Sequence, residues 1–136
     1  PTNNMGFEIY PQGMYNVLKR YSSYPGVTRL IITENGVCLD DKEENGVVYD
    51  PVRIQFYKDY LSHALKAKKE GINVEGFFCW SLMDNFEWAE GYKARFGLVY
   101  EDFKTGKKII KESGKWIKEF LEETPKVKET LKNEGF

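Results

Sequence analysis

Glu34 is the acid best placed to do chemistry. It closes the run Leu30-Ile31-Ile32-Thr33, and Asn35-Gly36 begins a turn directly after it. The apolar run has the pattern of a strand buried on both faces, as in a parallel sheet. The Asn-Gly pair stops that strand just past the acid. In barrels of alternating strands and helices, the end where a strand emerges carries the chemistry. A second set lies downstream. Trp80 ends another apolar run, and the segment from Ser81 to Arg95 holds Asp84, Asn85, Glu87, Trp88, Glu90 and Tyr92. Aromatic faces beside carboxylates and amides suit a sugar: rings cover its C–H face, and the polar groups take its hydroxyls.

The elements that must position these residues can be read in chain order. Pro11 to Tyr21 has helical spacing, with Met14, Leu18 and Tyr21 on one face and Pro11 in the first turn. Tyr24-Pro25-Gly26 breaks it, and the strand Leu30 to Thr33 follows. A polar, acidic loop then runs from Gly36 to Tyr49. Asp50-Pro51 reads as an N-cap and first-turn proline of a second helix. Its expected apolar stripe is Ile54, Tyr57, Leu61, Ala64 and Leu65, with Gly71 as the stop. Val74 to Trp80 is the second buried strand. The intervening helix makes the two strands parallel neighbours with a right-handed crossover. Glu34 and Trp80 then share one sheet edge, and the loop Ser81 to Arg95 hangs over it. Phe96 to Tyr100 is a further extended piece. A last helix is expected around Ile109 to Leu121, carrying Ile110, Trp116, Ile117, Phe120 and Leu121; from Pro125 the chain is a charged tail.

Taken singly, several of these residues have plainer explanations. A lone carboxylate after a strand is commonly a surface turn residue, and Trp80 and Phe96 could be core aromatics. Glu87, Glu90, Asp84 and the run Asp40-Asp41-Lys42-Glu43-Glu44 would by default be solvated. His63, the only histidine, lies near the second helix's apolar stripe and reads as structural. Arg53 and Arg95 read as partners in structural ion pairs.

Composition narrows the class. Hydrophobic residues make up 41% and aromatics 15% of 136 residues, which suits a packed core rather than disorder. A net charge of −1 offers nothing to nucleic acid or an anionic membrane. No window has the apolar length of a membrane span. Cys38 and Cys79 are too few for a disulfide framework and lack metal-ligand spacing, so a reduced, cytoplasmic protein without metal or cofactor is expected. The chain opens at Pro1 without an initiator methionine, as a processed, truncated or excised piece would.

Together the motifs carry a resemblance. Ile32-Thr33-Glu34-Asn35-Gly36 and Trp80-Ser81-Leu82-Met83-Asp84-Asn85-Phe86-Glu87-Trp88, continuing through Gly91-Tyr92 and Arg95-Phe96-Gly97-Leu98-Val99-Tyr100, closely resemble glycoside hydrolase family 1. Gly6-Phe7-Glu8-Ile9-Tyr10-Pro11 and Asp50-Pro51-Val52-Arg53 look like that family too, and the resemblance runs to about Phe120. It implies an α/β fold, the C-terminal two to three βα units of a (β/α)8 TIM barrel over residues 1–121, with 122–136 as the charged tail. It also implies retaining β-glycosidase activity. Glu34 matches the catalytic nucleophile. Glu87 matches the residue binding the 4- and 6-hydroxyls of the sugar, and Trp88 the one bonding its 3-hydroxyl through the indole N–H. Trp80 matches the platform under the ring, and Phe96 a wall of the pocket. Branches acting on 6-phospho sugars usually carry a small hydroxyl residue where Glu87 stands, and a carboxylate there would repel a phosphate. Unphosphorylated β-glucosides or cello-oligosaccharides are therefore the expected substrates.

The family's acid/base glutamate lies in a Thr-x-Asn-Glu-Pro segment, and no such segment occurs in these 136 residues. Retaining hydrolysis needs two carboxyl groups roughly 5 Å apart, and in the family Glu34 and Glu87 both serve the same sugar. The expectation is a chain with the nucleophile alone, inactive and unstable or aggregating until the N-terminal barrel portion is supplied. Homo-oligomerisation is compatible with all of this. The alternatives are a non-hydrolytic glycan-binding relative, a 6-phospho-β-glucosidase, a thioglucosidase, whose leaving group needs no proton, or a barrel fragment made to study assembly.

Overall fold

The computed structural model describes residues 1–133, with side chains through residue 123. Helix α1 (Pro11–Ser22) leads to strand β1 (Leu30–Asn35), helix α2 (Pro51–Lys69) and strand β2 (Val74–Cys79). Strands β3 (Val99–Glu101) and β4 (Lys108–Ile110) form an antiparallel pair, and helix α3 (Glu112–Asn133) follows. As the intervening helix required, β1 and β2 are parallel. They form a two-stranded sheet, and the β3–β4 pair is separate.

Local chemistry explains the boundaries. Pro11 and Pro51 occupy first-turn positions, where a missing N–H costs nothing. After Glu70, Gly71 takes φ +96°, the left-handed conformation that ends α2. The core lies between the helices and one face of the sheet. Tyr15 and Leu18 of α1 pack with Ala64 and Ala67 of α2 and with Val74, backed by Leu30 and Ile32. A second cluster joins Val37, Phe56, Tyr57 and Leu98 to Trp116 and Ile117 of α3.

Several expectations are corrected. The strand Leu30 to Thr33 is not buried on both faces: Leu30 and Ile32 face the helices, whereas Ile31 between them is 48% exposed. Phe78, at 59% exposure, lies on that open face too, since Ile31 and Phe78 both flank the spot where a Cβ on Gly76 would stand. Two strands cannot enclose an interior. The apolar stripe of α2 is broader than expected: Tyr57 and Ala64 are buried as expected and Leu61 packs against the core, but Arg53, Phe56 and Ala67 are buried too, and Leu65 is exposed. Tyr21 is likewise exposed.

The C-terminal region differs most. Ile109 and Ile110 belong to β4, not to a helix, and α3 starts only at Glu112. The turn that makes this possible is local. Asp102 Oδ1 accepts the Lys104 and Thr105 N–H groups, and Gly106 takes φ +71°. Helix α3 then runs to Asn133, so the expected boundary at 121/122 falls inside it. Residues 134–136 of that tail lie outside the described residues.

Candidate functional site

The sheet edge is built by three close backbone approaches. The Trp80 N–H donates to the Asn35 carbonyl at 2.8 Å, so the residue after Glu34 is bonded to the platform candidate. Gly36 crosses so near the same backbone that a Cβ on it would stand 1.8 Å from the Trp80 carbonyl oxygen. No other residue fits there without moving one strand end. The Ser81 N–H in turn donates to the Phe96 carbonyl at 3.3 Å, which brings Phe96 beside Trp80. The Trp80–Ser81 peptide is cis.

Glu34 stands where the register slips. Ile32 pairs with Phe77 and Asn35 with Cys79, so β1 spends three residues where β2 spends two. The extra residue falls at Thr33-Glu34. Such irregularities re-aim a side chain at a strand end, and nothing in the apolar run announced it. Glu34 is exposed on the rim.

Beneath the platform Tyr57 is fully buried, and its hydroxyl donates to the Trp80 carbonyl at 3.3 Å. Burial pushes its phenol well above the ordinary range. Burial likewise raises the Cys79 thiol, against the opposing effect of a hydrogen bond with Tyr57. Cys38 is raised for the same first reason. Both cysteines are free, Cys38 buried and Cys79 half-buried, and a thiol whose pKa is raised is a poor nucleophile.

The loop after Trp80 is fixed at its base and open at its tip. Ser81 Oγ donates to the Met83 carbonyl at 2.8 Å, and Asn85 Nδ2 donates to Ser81 Oγ at 3.1 Å. The Asp84 N–H donates to the Val99 carbonyl at 2.9 Å. Further out, the Glu87 N–H donates to the Gly91 carbonyl at 2.8 Å around one 3-10 turn, Trp88–Glu90. Glu87 is half-buried, whereas Trp88 is 81% exposed with φ +41°. Phe86 meets Tyr92 edge to face and Tyr92 lies tilted against Phe103, with centroids 5.2 and 4.4 Å apart. Arg95 lies 4.2 Å from the Tyr100 ring and 4.8 Å from that of Phe103. The segment bearing Glu87 and Trp88 springs from the strand end at Trp80. Trp80 and Phe96 are joined through Ser81, and Trp88 reaches into solvent.

Under the rim lies a buried charge cluster that the sequence did not reveal. Asp41 and Asp84, expected to be solvated, are both buried. Lys111, fully buried, places Nζ 2.6 Å from Asp41 Oδ2 and 2.8 Å from Asp84 Oδ1. Arg95 Nη1 meets Asp84 Oδ2 at 2.6 Å. Arg53, also fully buried, pairs with Asp41 at 2.8 Å and with Asp50 at 2.6 Å. Three carboxylates face three cations, so the buried charge balances. Burial opposes the charge on Arg53, yet hydrogen bonds and attraction from Asp41 and Asp50 hold its pKa above the ordinary value.

Asp50 corrects a further expectation. It occupies the N-cap position of α2 but makes no side-chain cap there. Its carboxylate instead accepts from the backbone N–H of Ser113 at 2.9 Å and from Ser113 Oγ at 2.6 Å, capping the first turn of α3. Arg53 and Arg95 do make the structural ion pairs expected of them. His63 Nδ1 lies 2.8 Å from the Asp59 carbonyl one turn earlier, a local contact remote from the rim. Glu90 is exposed. Among the described residues no cluster of metal-binding side chains is assembled, and no helix is long and apolar enough to cross a membrane.

The model of glycosyl hydrolase family 1 matches residues 1–125. The chain belongs to glycosyl hydrolase family 1. Among its family 1 relatives, β-glucosidase A of Thermotoga maritima is 48% identical over 85% of this chain and 26% of its own length. A 6-phospho-β-galactosidase of Lacticaseibacillus rhamnosus is 42% identical over 87% of this chain and 26% of its own. The solved family 1 β-glucosidase of Thermotoga maritima in complex with isofagomine lactam superposes with a TM-score of 0.87 at 46% identity, covering 90% of this chain and 28% of that one. This chain thus spans about a quarter of the length of the curated relatives it matches. It is part of the family 1 barrel fold, with no closed barrel among its described residues.

Proposed function

We propose that this chain is the C-terminal part of the barrel of a retaining β-glycosidase, and that it supplies the nucleophile and much of the sugar-binding rim. The observation that carries the proposal is the 2.8 Å bond from Trp80 to Asn35, which sets Glu34 and the root of the Glu87–Trp88 loop at one sheet edge. In this proposal Glu34 attacks the anomeric carbon of a β-glycoside. The bond to the leaving oxygen breaks, and a glycosyl ester forms on Oε. Water then attacks the same carbon from the other face and releases Glu34, so the product keeps the β configuration. Trp80 lies under the sugar ring and Phe96 beside it. Glu87 accepts hydrogen bonds from the 4- and 6-hydroxyls, and Trp88 donates its indole N–H to the 3-hydroxyl.

Protonation of the leaving group is assigned to a glutamate outside these 136 residues. The isolated chain is accordingly inactive, and its exposed Ile31 and Phe78 leave it prone to aggregate until the rest of the barrel covers them. Relatives carry the names of both β-glucosidases and 6-phospho-β-galactosidases. Glu87 favours the unphosphorylated substrate, because its carboxylate would repel a phosphate at the sugar's 6-position.

The test pairs two proteins with two substrates. The 136-residue chain and the full-length protein are each given an aryl β-glucoside and its 6-phosphate, and NMR follows the first-formed anomer. The full-length protein is expected to cleave the unphosphorylated glucoside with retention, and the isolated chain to cleave neither. Preference for the phosphate sinks the substrate assignment, inversion sinks the mechanism, and turnover by the isolated chain sinks the division of catalytic groups.

A further inference from the structure

Lys111 touches two loops at once. Its Nζ lies 2.6 Å from Asp41, in the loop that follows Glu34, and 2.8 Å from Asp84, three residues before Glu87. Asp84 is gripped on every side. Oδ1 also accepts the Gly97 N–H at 2.9 Å, next to Phe96, and Oδ2 accepts Arg95 Nη1 at 2.6 Å. The space there is full: a Cβ on Gly97 would stand 2.2 Å from the Asp84 nitrogen. The same Oδ2 of Asp41 also meets Arg53 Nη2 at 2.8 Å, and that nitrogen reaches the carbonyls of Val37 at 3.3 Å and Arg95 at 2.9 Å.

A buried ion cluster of this kind commonly gives no more stability than apolar side chains of the same volume. What it gives here is a fixed relation between segments far apart in sequence. We infer that Lys111 is a positioning residue for the proposed sugar-binding loop: through Asp84 and Asp41 it sets the Glu87–Trp88 rim relative to the strand end that bears Glu34. This inference rests on the sugar-binding role proposed for that loop. Glu34 acts at the anomeric carbon and Glu87 at the far side of the same ring. An error in their separation is therefore felt most by substrates that use the distal hydroxyls. Misplacement of about 1 Å can cost on the order of 100-fold in such a site.

The test uses the full-length enzyme and the variant Lys111→Met/Asp84→Asn, which removes one cation and one carboxylate together and keeps an oxygen for the Gly97 N–H. The measured quantity is the ratio of kcat/KM for an aryl β-glucoside to that for the aryl β-xyloside, which lacks the C6 hydroxymethyl group. The variant is expected to lower this ratio about tenfold, because discrimination by a hydrogen-bonding site depends on where its partner stands. A role in stability alone would lower both substrates by one factor. An unchanged ratio, with or without such a common fall, overturns the inference. A wild-type ratio near one overturns the loop's proposed role and this inference with it. If the double variant does not fold, Asp84→Asn alone is read against the same criterion.

Discussion

Glu34→Ala in the full-length enzyme is expected to lower kcat for an aryl β-glucoside by on the order of 10⁴-fold or more, with little change in thermal midpoint. Glu34 is exposed, so truncation removes no core packing. What it removes is the group proposed to bond to the anomeric carbon. Azide then offers a direct check. It enters the space the carboxylate leaves and attacks the anomeric carbon from that face. The aryl group departs, and the product is a glycosyl azide of inverted configuration. Partial recovery of turnover with this α-glycosyl azide, identified by NMR, is the expected result. Turnover like that of the unaltered enzyme, or a glycosyl azide of retained configuration, would falsify the nucleophile assignment.

Arg53→Met should have the largest effect on stability, about 3–5 kcal/mol, as expected when one member of a buried ion pair is removed. The guanidinium is fully buried and ties Asp41 to Asp50, while Asp50 holds the first turn of α3 through Ser113. Without the cation, Asp50 keeps only its Ser113 partners, and its buried charge is uncompensated. Adding Asp50→Asn removes that charge and keeps an acceptor for the Ser113 N–H. The pair Arg53→Met/Asp50→Asn is therefore expected to be more stable than Arg53→Met alone. Urea unfolding of the full-length enzyme gives both values by linear extrapolation. A loss below about 1 kcal/mol for Arg53→Met, the range of surface ion pairs, would show that the cluster is solvated in solution.

The two variants separate two layers of the same site, and the layers were not equally legible. The upper layer could be read. An apolar run ending at Glu34, a stop at Asn35-Gly36 and a second run ending at Trp80 placed both residues at one edge. The helix between the runs made the strands parallel, and the observed pairing of β1 with β2 agrees. The lower layer could not. Asp41 sits in an acidic run and Asp84 in a polar loop, the patterns of solvated carboxylates. Their burial depends on Lys111, which meets Asp41 across 70 positions and Asp84 across 27. No local window contains all three.

Hairpin and helix boundaries show the same division. Ile109-Ile110 followed by apolar residues at helical spacing reads naturally as the start of a helix. The structure puts them in β4, because Asp102 and Gly106 form a turn that returns the chain against β3. Asp50 has the sequence of an N-cap for its own helix, yet its carboxylate serves α3, since Arg53 draws it inward beside Ser113. A residue's type sets which bonds it can make; its neighbours in space decide which of them are made.

The sequence by itself determined what lies within a few residues: the end of β1 at Asn35, the first turns at Pro11 and Pro51, the alternation of strand and helix, and the motifs that mark the family. These follow from steric limits and hydrogen-bonding capacities that act over a turn or less. Only the tertiary structure decided the register slip at Thr33-Glu34, the open face bearing Ile31 and Phe78, and the enclosure of Asp41, Asp84, Arg53 and Lys111. The physical reason is desolvation. A charge leaves water only when its partners arrive from elsewhere in the chain, and a strand's face is buried only when other segments cover it.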